Sequence, residues 1–347
     1  MTQRQKGEIM KDTIQPKVAV LIPEEMRGRI MPVPAMNALS AFATPVLLPD
    51  DVLAGGNLAN HLTDVPAVIT GWKSPIIPKD ALAPRGSIAF VSHAAGSVKP
   101  LGVQDALMAG DIRVSHAAPV IAHAVAEFTI TQILAHLRRH RAMDAGFRTG
   151  LTWTEMRERN LGQMLSAQNV GIVGLGYVGR LVVNLLRPFG CRISVFDPFV
   201  SAEQAAQLDV TLLSLDDLFT HCSVISLHAA NLPETSGMIT RRHLGLLGRG
   251  GLLVNTARAG LLEPGALLEA LQEGKIYAAL DTFDQEPLAE GDALRRLPNV
   301  YLSPHCAGHT SDTYTMQGLS AVEEVRLFFN GLPLRQEIPC EKAAVLA

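Results

Sequence analysis

The chain has 347 residues, 48% of them hydrophobic and 18% charged, and a formal net charge of −3. That length suggests about two domains, each large enough to bury a core without disulfides or a structural metal. The composition excludes a disordered chain, and the near-neutral charge argues against a nucleic-acid partner. No apolar run reaches the ~18–20 residues that span a bilayer, so no membrane partner is expected. The first sixteen residues mix Arg4, Lys6, Glu8 and Lys11 with polar groups and lack the apolar centre of a secretory signal. Cys191, Cys222, Cys306 and Cys340 are widely spread, with no CxxC or zinc spacing. They read as reduced thiols of a cytoplasmic protein without a metal site.

In chain order, β-branched runs alternate with helical or loop stretches. Strands are predicted at Lys17 to Ile22, Val46 to Leu48, Ala67 to Thr70, Ile88 to Ser92 and Ile112 to Ser115. A long helix is predicted from Ile121 to Met143, with Ala126, Ile130, Ile133, Leu134 and Leu137 on one apolar stripe. Its basic end, Arg138 to Arg141, reads as a solvated terminus favoured by the helix dipole, or as a ligand contact. From Asn169 onward, strands are predicted at Val170 to Val173, Ile193 to Phe196, Thr211 to Leu213, Val224 to Leu227, Leu252 to Asn255, Ala278 to Leu280 and Val300 to Leu302. Helices are predicted at Val178 to Phe189, Leu215 to His221, Arg241 to Leu247, Pro264 to Glu273 and Asp312 to Phe329. This βαβα rhythm predicts parallel sheets covered by helices on both faces.

One stretch carries a specific signal. Val170 to Val173 runs into Gly174-Leu175-Gly176-Tyr177-Val178-Gly179, a G-x-G-x-x-G motif between an apolar strand and an amphipathic helix. Gly174 permits the tight turn, Gly176 lets backbone approach a pyrophosphate, and Gly179 lets the helix pack on the sheet. The amides around Tyr177 and Val178, at the helix N-terminus, favour phosphate. Asp197 ends the next strand, 18 residues beyond Gly179. A carboxylate there accepts the ribose hydroxyls and repels a 2′-phosphate, which favours NAD over NADP.

Three polar residues follow later strands. Arg258, in Asn255-Thr256-Ala257-Arg258-Ala259-Gly260, can grip a carboxylate through its planar fork, or form a surface ion pair. Glu286 and His305 follow the next two strands. Imidazole can donate or accept a proton near neutral pH, and a neighbouring carboxylate would orient it. Of the eleven histidines, His61, His136, His140, His221 and His243 read as structural, whereas His93, His116, His123, His228 and His309 sit nearer to expected clefts.

These motifs resemble the D-isomer-specific 2-hydroxyacid dehydrogenase family from about Lys17 to Leu334, most strongly from Asn169 to Gly308. The resemblance implies Arg258 as substrate-binding residue, Glu286 as partner of the catalytic His305, and Asp281 opposite the nicotinamide carboxamide. Thr256 and Ala257 join the cofactor residues. It also implies a Rossmann-type NAD-binding domain, residues 120–311, inserted into a smaller flavodoxin-like α/β substrate domain, 1–119 plus 312–347. Val125-Ala126-Glu127 matches a segment that links the domains and joins a dimer interface, so a homodimer is expected. Ala95, Gly96 and Ser97 match a loop whose amides hold the substrate carboxylate, unless it is a plain turn. Trp72 and Lys73 occupy a pocket-shaping position, although an indole there can simply pack.

Two departures stand out. Ser97-Val98-Lys99-Pro100 lacks the acidic residues usual after the loop, and Leu227 to Thr235 lacks the proline usual soon after the histidine. The expected activity is NAD-dependent reduction of a small 2-oxo acid such as glyoxylate or hydroxypyruvate. The alternatives are phosphoglycerate dehydrogenase and an NAD-binding, corepressor-like scaffold. The short stretch beyond Leu334 weakens the longer phosphoglycerate dehydrogenase type.

Overall fold

A computed structural model describes residues 15–55 and 57–342. Most of the stretch read as lacking a secretory signal lies outside the described residues. The described chain forms two compact units, 15–116 with 315–342, and 117–314.

The first unit is built on a five-stranded parallel sheet: β1 (Lys17–Val20), β2 (Thr44–Leu47), β3 (Ala67–Thr70), β4 (Phe90–His93) and β5 (Arg113–His116), in the order β2-β1-β3-β4-β5. Strands β3 and β4 are buried along their whole length, because helices cover both faces of such a sheet. The helix Ser311–Phe329 brings Phe328 onto Phe90, ring centroids 4.7 Å apart. It approaches the end of helix Glu24–Ile30 so closely that a Cβ on Gly318 would fall 1.6 Å from the Ile30 carbonyl oxygen.

The second unit has seven parallel strands: β6 (Asn169–Val173), β7 (Arg192–Phe196), β8 (Thr211–Leu212), β9 (Val224–Leu227), β10 (Leu252–Asn255), β11 (Tyr277–Leu280) and β12 (Val300–Leu302). Their order is β12-β11-β10-β9-β6-β7-β8, so the strand order reverses between β6 and β9, where ligands bind in open α/β sheets. Alternate side chains build a core on each face. Val170, Ile172, Val224, Leu252 and Val254 pack with the helices Ala118–Leu137 and Tyr177–Leu186. Val173, Ile225, Leu227, Leu253 and Leu280 face helices that include Leu215–His221 and Ala266–Gln272.

One expectation is corrected here. The long helix does not run to Met143; it stops at Leu137, and a second helix, His140–Arg148, follows. Arg139 between them takes the left-handed conformation, φ 53°, and its guanidinium sits 5.0 Å from the Tyr277 ring centroid. The cation–π contact offsets part of the cost of the left-handed residue. By length and composition, Ala118–Leu137 is apolar enough to cross a membrane, although scattered His, Glu, Thr and Gln break any continuous apolar run. Half of that window is buried within the protein, as in a core helix.

Candidate active site

The glycine loop joins β6 to helix Tyr177–Leu186 at the strand-order reversal. Gly174 has φ 92°, and a Cβ on it would lie 2.6 Å from the Ala229 amide nitrogen, just beyond β9. A Cβ on Gly179 would lie 2.1 Å from the Gly174 carbonyl oxygen, so only glycine lets the helix start this close to the strand. Gly176 differs: a Cβ there meets nothing within 4 Å. It caps a helix whose N-terminus has no side-chain cap. Tyr177 is exposed at this end, while Val178 packs partly against the core. Asp197, after β7, ties the loop in place: one carboxylate oxygen accepts the Leu175 amide at 2.7 Å and the other the Phe199 amide at 2.9 Å.

Arg258, Glu286 and His305 are delivered by the loops after β10, β11 and β12. His305 Nδ1 lies 2.7 Å from Glu286 Oε2, and the Phe283 amide donates to Glu286 Oε1 at 2.9 Å. Partial burial pushes the Glu286 carboxyl up, but the bonds from His305 and the Phe283 amide, with the charges of His305 and Arg258, hold it below the usual carboxylate range. Arg258 is exposed, its Nη1 donating to the Ala257 carbonyl at 2.7 Å. The Glu286–His305 pair opens onto a cleft of about 620 Å³ that Phe283, Pro304 and Arg295 also line. A carboxylate that orients an imidazole beside a guanidinium can move a proton next to a bound anion.

The loop carrying His305 is strained and held. His305 has φ 51°, a conformation a non-glycine residue keeps only when its surroundings impose it. Asp281 does so. It is 1% exposed, and its carboxylate accepts Ser303 Oγ at 2.6 Å, the Cys306 amide at 2.9 Å and the Ala307 amide at 2.9 Å. The family motif points Asp281 at the cofactor and gives no hint of this role. An aspartate ending an apolar strand is the one signal in the sequence, but its partners lie 22 to 26 residues away.

Other candidates are placed as follows. Thr256 is buried, its hydroxyl 3.0 Å from that of Thr129, and the Ala257 amide donates to Asn255 Oδ1 at 3.1 Å. His228 follows β9 with Nε2 2.9 Å from Ser226 Oγ, and burial pushes its imidazole down to about 3. It is therefore neutral and is no proton donor near pH 7. In the first unit, Ala95 is buried and Gly96 and Ser97 are partly exposed after β4. Trp72 is half-buried, and the exposed Lys73 pairs with Glu25 at 2.6 Å.

Residues 130–307 match the family model described as D-isomer specific 2-hydroxyacid dehydrogenase, NAD binding domain. The chain belongs to this family of D-isomer specific 2-hydroxyacid dehydrogenases. It is 35% identical over 256 residues to a D-3-phosphoglycerate dehydrogenase of Mycobacterium tuberculosis, covering 74% of this chain and 48% of that protein. The chain thus spans about half the length of that phosphoglycerate dehydrogenase. A glyoxylate reductase of Aeropyrum pernix is 33% identical over 258 residues, 73% of this chain and 76% of that one. Among solved structures, a 2-hydroxyacid dehydrogenase from Ketogulonicigenium vulgare superimposes with a TM-score of 0.75 at 25% identity, covering 93% of this chain and 98% of that one. The cofactor of the family's matched domain is NAD. The amides above Gly176 and the acid Asp197 suit its pyrophosphate and adenosine ribose.

Proposed function

We propose that the chain is an NAD-dependent 2-hydroxyacid dehydrogenase that works chiefly as a reductase of a small 2-oxo acid of the glyoxylate or hydroxypyruvate kind. The observation that carries this reading is the 2.7 Å contact between His305 Nδ1 and Glu286 Oε2. Bound nicotinamide supplies the hydride for C2 of the substrate, or takes it in the reverse reaction. With Nδ1 committed to Glu286, His305 presents Nε2 to give the carbonyl oxygen its proton, and Arg258 holds the substrate carboxylate beside it. To cofactor binding we assign Gly174, Gly176, Tyr177, Val178, Gly179 and Asp197, with Thr256, Ala257 and Asp281 nearer the nicotinamide. To the first unit we assign carboxylate recognition by the amides of Ala95, Gly96 and Ser97, with Trp72 and Lys73 on the same sheet edge.

The deciding experiment is NADH and NADPH oxidation across 2-oxo acids that differ in size and charge, with 3-phosphohydroxypyruvate included. Turnover confined to the phosphorylated acid would shift the assignment to phosphoglycerate. Tight NADH binding with no turnover would favour a scaffold.

We also propose a homodimer. Phe147, Trp153, Leu161 and Met164 expose 50, 73, 78 and 69% of their surface within one short segment, an apolar face suited to a second copy. Sedimentation of the wild type and of Trp153→Arg checks this. A cytoplasmic location is in keeping with four free cysteines, and neither nucleic acid nor membrane enters the reading.

A further inference from the structure

The carboxyl edge of the first sheet carries a row of residues that the proposed chemistry does not use. Thr70, His93 and His116 lie side by side across β3, β4 and β5, at 0, 4 and 5% exposure. A buried imidazole needs partners for its ring nitrogens. Thr70 Oγ1 lies 2.9 Å from His93 Nδ1, and the Ser97 backbone favours an N–H on the His93 ring. With Nδ1 accepting the Thr70 hydroxyl, the N–H that Ser97 favours is Nε2–H. On the next strand, His116 Nδ1–H donates to the Gly96 carbonyl at 3.2 Å. His116 thus holds one carbonyl of the loop that follows β4, and the His93 ring is placed to favour the next.

Peptide geometry gives the consequence. In a planar trans peptide the C=O and the N–H point in opposite directions. Drawing the Gly96 and Ser97 carbonyls toward the histidines turns the Ser97 and Val98 amides away from them. Neither amide has a backbone acceptor among the described residues. A Cβ built on Gly96 meets nothing within 4 Å, so the loop borders open space.

We propose that His93 and His116 are positioning residues that clamp the Gly96 and Ser97 carbonyls and so aim the Ser97 and Val98 amides as a cradle for the carboxylate of the 2-oxo acid. The assignment of that ligand rests on the reductase reading above. Burial keeps both rings neutral: it pushes His93 down to about 4, with the neighbouring His116 acting in the same sense, and it lowers His116 as well. A neutral ring has one N–H, and the Thr70 hydroxyl selects which nitrogen of His93 carries it.

The test uses paired substitutions in the full chain. His116→Leu and His93→Leu remove the clamps, whereas His116→Asn and His93→Gln keep an N–H where Nδ1–H and Nε2–H stand. The leucine variants are expected to raise KM for the 2-oxo acid about tenfold, the loss for a misaimed charge-assisted hydrogen bond, with kcat and NADH affinity within about twofold. The amide variants should recover most of that loss. A joint fall in kcat and NADH affinity, or amide variants no better than leucine, overturns the proposal. If the wild type reduces no 2-oxo acid, the reductase reading fails by itself, and oxamate titration of the NADH-loaded wild type, followed at the Ser97 and Val98 amides by ¹⁵N NMR, judges the clamp. Shifts at these amides that vanish in His116→Leu support it, and their absence in the wild type overturns it.

Discussion

Asp281 accepts the amide of Ala307 at 2.9 Å, from the end of one strand to the loop beyond the next. With the bonds from Cys306 and Ser303, this buried carboxylate holds His305 in a backbone conformation it would not adopt alone. Asp281→Asn puts an NH₂ group where only acceptors fit. It should cost about 2–4 kcal/mol in urea unfolding, as expected when buried donors to a charged acceptor lose it, and kcat should fall together with NADH affinity, since Asp281 is also assigned to the nicotinamide.

His305→Gln should lower kcat by about 10²–10⁴, the range for loss of a general acid–base, with NADH affinity unchanged by fluorescence titration. Turnover near that of the wild type across the whole 2-oxo acid panel would remove His305 from the chemistry.

Glu286 sets a pH dependence whose sign can be worked out. Its carboxyl lies below the usual range in the folded protein, so it binds its proton less readily there than in the unfolded chain. Its contribution to stability is present above the ordinary carboxylate value and fades as pH falls through the lowered one. Glu286→Gln should therefore be less stable than the wild type at pH 7, and the two should converge as pH falls through the lowered value, in denaturation midpoints taken across pH. The difference should be small, since the side chain is 35% exposed.

Two glycines separate folding from binding. Gly176→Ala has room for its methyl group and should melt with the wild type, yet lose NADH affinity at least about tenfold because the methyl meets the pyrophosphate. Gly179→Ala drives a methyl into the Gly174 carbonyl and should lose about 1–3 kcal/mol of stability, the cost of overpacking. Thermal unfolding beside NADH titration distinguishes the two.

Asp197→Ser should narrow the preference for NADH over NADPH, read as the ratio of kcat/KM values. It should also loosen the glycine loop, because the Leu175 and Phe199 amides lose a carboxylate. An unchanged ratio would show that Asp197 serves the loop and not the ribose.

Local pattern by itself determines much of this protein. The strands Ala67–Thr70, Val224–Leu227 and Leu252–Asn255 fall where buried β-branched runs predict them, because a parallel strand is apolar on both faces. Glycines at 174, 176 and 179 announce their turn, since backbone constraints act over a few residues. Glu286 and His305 are legible as a pair only through the family motifs; their 2.7 Å contact belongs to the fold. What the tertiary structure decides is what depends on partners far away in the chain. The break at Arg139 answers to Tyr277, and Asp281 answers to a loop more than 20 residues on. Three strands must lie in register before Thr70, His93 and His116 form a row. A side chain's hydrogen-bond partners are fixed by packing in three dimensions, and one-dimensional periodicity carries no record of them.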